Sequence, residues 1–148
     1  MRPDILVSDA AGSPILIVEV KGKRGGSSQW AAEFRRNVLA GYPGSTSPFF
    51  LLATPDQFHF WKKRDSRSQL VQPDYSMNPS ELLKSYDSTM SGEGAGSLSI
   101  FALQFVVANW LRALAHGQNG KNRAFEWLSS SGLLEAIRGG RVVLEPEV

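Results

Sequence analysis

The chain has 148 residues, 42% hydrophobic and 20% charged, which suits one globular core and argues against a disordered chain. It contains no cysteine, so zinc ribbons, thiol nucleophiles and disulfide scaffolds are excluded and oxygen donors remain as the metal chemistry. The net charge of +2 conceals an uneven spread, because nine basic residues stand against three acidic ones between Val20 and Arg67, an excess that favours a polyanion.

Met1-Arg2-Pro3-Asp4 lacks the apolar core of a signal peptide, so a soluble, cytoplasmic protein is expected. The first strand is read over Asp4–Ser8, with turn residues at Ala11-Gly12-Ser13-Pro14. The second runs over Ile15–Lys21 and is apolar on both faces, as in a covered sheet. Gly22 to Ser28 is a polar loop, after which Ser27 or Ser28 caps a helix to about Ala40, with Trp30, Phe34 and Val38 as its apolar stripe. Two further strands, Phe49–Ala53 and Gln57–Trp61, flank a Thr54-Pro55-Asp56 turn. This order implies a mixed central sheet with helical cover.

Beyond Arg64 the periodicity weakens, with one short helical candidate around Ser80 to Ser85. Gly92-Glu93-Gly94-Ala95-Gly96 reads as a flexible joint. Helices over Leu98–Ala115 and about Arg123–Ile137 follow, then a short strand at Arg141–Leu144. The chain is therefore divided into a core over 1–91, a joint over 92–97 and a helical extension over 98–148. The Leu98–Ala115 stretch is broken by Gln104, Asn109 and Arg112, so it is read as a buried or interface helix rather than a membrane span. It is too apolar to stand in water alone, and packs either on the core or in a homodimer.

Folding the first two strands about Ala11-Gly12 places Ser8 opposite Ile15, Leu6 opposite Ile17 and Asp4 opposite Glu19. Opposed residues of an antiparallel pair share a face, with Cβ atoms about 4.5–5.5 Å apart. Alternation puts Lys21 on that face too. Two carboxylates facing each other beside isoleucines are unfavourable unless a cation sits between them, and a hard divalent ion with one or two carboxylate ligands suits the position.

Pro3-Asp4, a spacer of fourteen residues and Glu19-Val20-Lys21 resemble the PD-(D/E)XK signature of restriction-endonuclease-like nucleases. The first sixty or so residues are also similar to the amino-terminal nuclease region of type I restriction-enzyme motor subunits. The resemblance implies an α/β restriction-endonuclease-like fold and Mg²⁺-dependent endonucleolytic cleavage of DNA (Mn²⁺ substituting). It implies that Asp4 and Glu19 bind the ion, that the Val20 carbonyl adds a ligand and that Lys21 is the catalytic lysine. Gln29 matches a supporting glutamine on the following helix. The family normally places a helix before the first strand, whereas only Met1 and Arg2 precede the motif here. The Leu98–Ala115 helix or a partner chain is expected to take its place.

Lys23, Arg24, Arg35 and Arg36 are candidate phosphate contacts. His59 reads as surface-facing or hydrogen-bonded, His116 as a helix-end residue, and most of the four tryptophans as core. Two rival readings stand beside the nuclease. One is a nuclease-derived module that binds nucleic acid without cutting; the other is an interaction protein that self-associates through the apolar helix.

Overall fold

The two apolar runs at the start of the chain pair with each other, and further strands widen them into a six-stranded mixed sheet. The computed structural model describes residues 3–42, 47–62, 70–84, 99–118 and 126–144. Within them the order is β1 (Ile5–Ser8), β2 (Pro14–Val20), α1 (Ser28–Ala40), β3 (Phe49–Ala53), β4 (Phe58–Trp61), β5 (Tyr75–Met77), α2 (Ile100–Ala115), α3 (Trp127–Ser130), α4 (Leu133–Ile137) and β6 (Arg141–Leu144). A further helical turn occupies 80–84. The expected joint at Gly92 to Gly96 lies outside the described residues, as do Lys63, Arg64 and Arg67 of the basic run.

The strands lie in the order β5-β4-β3-β2-β1-β6. β2 and β3 run parallel, with Glu19 beside Leu52, and a parallel pair needs a crossover that α1 supplies. Every other neighbouring pair is antiparallel. β1 and β2 keep the expected register from Ile5↔Val18 through Leu6↔Ile17, but Ser8 stands opposite Pro14 rather than Ile15. An irregularity after Val7 absorbs one residue, because the Asp9 carboxylate accepts from the Ala11 and Ser13 amides and tightens the turn.

Strand alternation divides the interior in two. Leu16, Val18 and Val20 of β2 join Val7, Leu51, Phe58 and Phe60 in the larger core, which is roofed by Leu103, Val107 and Leu111 of α2 together with Trp127, Leu133 and Ile137. Ile17 points to the other face and meets Phe50, Leu52 and Trp61 under Ala31, Val38 and Leu39 of α1. Ser27 caps α1 by accepting from the Trp30 amide, and Ser99 caps α2 in the same way through Ala102.

The carboxy-terminal segment packs on the sheet and finishes as its edge strand beside β1. Three features differ from the sequence reading. The expected helix over Arg123–Ile137 is two short helices within the described residues, divided at Gly132, whose φ of 89° stops the first one. β5 was not anticipated, since three residues after Pro73 carry no periodicity of their own. Finally, α2 lies against the face opposite α1, so it does not stand over the Asp4 end of β1 on the carboxylate side. Most of its apolar surface is nevertheless met within the chain; Ile100, Phe101 and Phe105 remain exposed. Among the described residues no helix is long and apolar enough to cross a membrane.

β6 is held against β1 at Gly140, where a Cβ would stand 2.0 Å from the Ser8 carbonyl oxygen. Gly140→Ala is therefore expected to destabilise the protein by roughly 1–3 kcal/mol, as overpacking does. Thermal melting checks this, and an unchanged midpoint contradicts so close an approach.

Candidate metal centre

Asp4 lies one residue before β1 and Glu19 one residue before the end of β2, so the hairpin register carries both to the same end of the sheet. Continuing the pairing Ile5↔Val18 by one step sets them opposite each other, as the sequence implied. Two hydrogen bonds fix the arrangement: the Asp4 amide donates to Glu19 Oε2 at 3.3 Å, and the Val20 amide donates to Asp4 Oδ2 at 2.8 Å. Each acid is thus tied to the backbone of the other's strand. Val20 turns its side chain into the larger core, leaving its main chain between the two acids.

Glu19 is 7% exposed. Burial first, and then the negative charge of Asp4, push its carboxyl up to about 7 from 4.5. The Asp4 amide, the Lys21 ammonium and the Tyr42 hydroxyl each favour the charged form, but together they fall short. Tyr42 donates its phenol to Glu19 Oε2 at 3.3 Å. Its own ionisation is driven upward, mainly by burial and then by the Glu19 charge, so it stays a donor at ordinary pH.

Lys21 leaves the end of β2 half-buried, with its amide donating to the Ala53 carbonyl and its Nζ 5.3 Å from the centre of the Phe34 ring. Alternation returns its side chain to the face of Glu19, whose charge it stabilises. Asp4, Glu19 and Lys21 are therefore brought together. Gln29 is not drawn in: it is exposed on the first turn of α1, donates to Glu33 Oε2 at 3.0 Å and accepts from Gln72 at 3.3 Å.

The four candidate phosphate contacts separate. Lys23 and Arg24 are exposed, and Arg36 is half-buried. Arg35 is 1% exposed, with its guanidinium 5.6 Å over the Trp61 ring, so it is an interior residue rather than a surface contact. The reason is helical phase, since position 35 shares the inner face of α1 with Ala31, Val38 and Leu39. His59 is likewise interior, at 2% exposure, which sets aside the surface-facing alternative and leaves the hydrogen-bonded one. It pairs through Nδ1 with Ser76 Oγ at 3.0 Å, its Nε2 has no partner among the described residues, and burial lowers its pKa. His116 caps the end of α2 and is exposed.

Tyr42 was missed by the sequence reading. The signal was available, because it extends the four-residue spacing of Trp30, Phe34 and Val38 past the helix end.

Among the described residues no three His, Asp or Glu side chains gather to hold an ion. The donors gathered at this end of the sheet are two carboxylates with the main chain of Val20. That set suits a hard cation which keeps much of its hydration, and magnesium is bound in this way through one or two carboxylates. The electrostatics fit as well, since the buried Glu19 carboxylate lacks sufficient positive charge around it. Compared with family models, curated proteins and solved structures, the chain matches none.

A carboxyl whose folded value exceeds its unfolded value holds its proton more tightly when folded. The stability this carboxyl contributes is then fully present below pH 4.5 and is lost as pH rises through about 7. The loss is of the order of 3 kcal/mol. Glu19→Gln is expected to remove this decline, and the difference between the two proteins isolates it from His59, whose contribution has the opposite sign. Urea melts from pH 4.5 to 8 check it; parallel stability curves contradict the raised acid.

Proposed function

We propose that the chain is a metal-dependent nuclease built on a restriction-endonuclease-like core, hydrolysing phosphodiester bonds in DNA. The observation that carries this reading is the pairing of buried Glu19 with half-buried Asp4, each hydrogen-bonded to the other's strand, with Lys21 on the same face. A structural role explains each residue singly, but burying Glu19 opposite a second acid is costly and leaves it half-protonated near neutrality. A protein meets such a cost where a site requires it.

In this reading Asp4, Glu19 and the Val20 carbonyl hold Mg²⁺ or Mn²⁺. A bound ion supplies Lewis acidity at the phosphoryl oxygen. Lys21 lies beside the acids on the open end of the sheet, where its ammonium orients the attacking water and stabilises charge developing on the phosphoryl group. The Tyr42 hydroxyl fixes the Glu19 carboxylate by occupying Oε2. Exposed Lys23 and Arg24, with half-buried Arg36, contact backbone phosphates without reading sequence. Gln29 has no part that its hydrogen bonds support.

A second reading, an interaction protein that pairs through α2, has one observation in its favour: Phe101 is 75% exposed and Phe105 50%. It leaves the acidic pair unexplained.

With Mg²⁺ or Mn²⁺ and a mixture of single- and double-stranded DNA and RNA, the protein is expected to release shortened products. Lys21→Ala is expected to slow this by about 10²-fold or more, the usual loss when a positioned charge or proton-transfer group is removed. Equal product from both proteins, or product independent of the divalent ion, overturns the catalytic assignment.

A further inference from the structure

Of the four tryptophans, three are buried: Trp61 at 0%, Trp110 at 6% and Trp127 at 6%. Trp30 alone is half-buried, on the first turn of α1, and the half-buried Phe34 follows one turn later with its ring centre 5.7 Å away. Each ring already carries a cation: Lys23 Nζ lies 5.4 Å from the centre of Trp30, and Lys21 Nζ 5.3 Å from that of Phe34. The loop closes on the indole at Gly26, where even a Cβ would come within 2.5 Å of Trp30 Cε3, so the ring is held in place.

We propose that Trp30 and Phe34, with Lys21 and Lys23, form a platform for an unpaired nucleobase, so that the site takes single-stranded nucleic acid. The name of substrate rests on the nuclease reading; the binding surface does not.

Two partly exposed aromatic rings interleaved with two ammonium groups match what a single strand offers, namely a π face on every base and a negative charge on every linker. Base–aromatic stacking and backbone neutralisation are the two contributions that hold strands of any sequence. The ammonium groups now lie where a base would stack. On binding, a base takes over the ring face and the lysine swings to the adjoining phosphate, so neither group loses its partner. A duplex offers no such exchange, because its bases are already stacked. Lys21 serves both the platform and the Asp4–Glu19 pair, which sets the phosphate next to the stacked base beside the acids.

The test compares three ligands of equal length by fluorescence anisotropy, in EDTA so that nothing is cut: a thymidine strand, an abasic strand of the same charge, and a duplex. The thymidine strand is expected to bind at least about tenfold more tightly than the abasic strand. Trp30→Ala should bring it down to the abasic level, and Trp30→Phe should restore most of the difference. Equal affinity of wild-type protein for the thymidine and abasic strands overturns the platform without recourse to any variant. A loss in Trp30→Ala that is the same on both strands also overturns it. The nuclease reading is judged separately, by whether Mn²⁺ raises the melting temperature of the wild type and not of Glu19→Gln. A thymidine preference without that rise keeps the platform and sinks the nuclease, and the reverse sinks the platform alone.

Discussion

The energetic centre of the molecule is the confrontation of Asp4 and Glu19 at the end of an apolar hairpin. Ile5, Val18 and Val20 are essentially buried beside them, and the register that buries those residues is the one that opposes the acids. The hairpin cannot slip by one residue to separate the charges, because a slip would turn its whole apolar set toward the wrong face. Repulsion at the acidic end is therefore imposed by packing along the rest of the strand. The molecule answers it with the Asp4 amide, Lys21 and the Tyr42 hydroxyl, which offset the desolvation of Glu19 only in part.

The rest of the fold keeps that end of the sheet in place. The parallel β2–β3 pair requires α1 as a crossover, and α1 in turn brings Phe34 under Lys21 and Tyr42 onto Glu19. The opposite face has a different task. α2, α3 and α4 close the larger core and carry the chain back to β6, beside β1, so that the strand bearing Asp4 has neighbours on both edges. A charged cluster at the end of an edge strand would be loosely held; here it is attached to the interior of a sheet.

Much of this was legible in the sequence, for identifiable reasons. Runs such as Ile15–Val20 and Phe49–Ala53 are long and apolar enough to specify buried strands, and the Ala11-Gly12 turn, with the irregularity after Val7 that restores the expected register, carries Asp4 opposite Glu19. Ser27 and Ser28 marked the start of α1, and Ser27 is the one that caps it. What stayed hidden depended on tertiary context. β5 exists because β4 has a free edge, not because Tyr75–Met77 prefers extension. Arg35 is basic by type but interior by helical phase, and His59 is interior because β4 lies between two strands. At the site, the acids and the lysine could be read from spacing. Tyr42 continues the spacing of Trp30, Phe34 and Val38, but its contact with Glu19 depends on which way α1 crosses β2.

The most direct measurement is a Mn²⁺ titration at pH 7.5 followed by electron paramagnetic resonance, which counts the free ion. One Mn²⁺ is expected to bind per chain, and to be lost in both Asp4→Asn and Glu19→Gln while the proteins remain folded. Binding that survives both substitutions, or no binding by the unaltered protein, contradicts it.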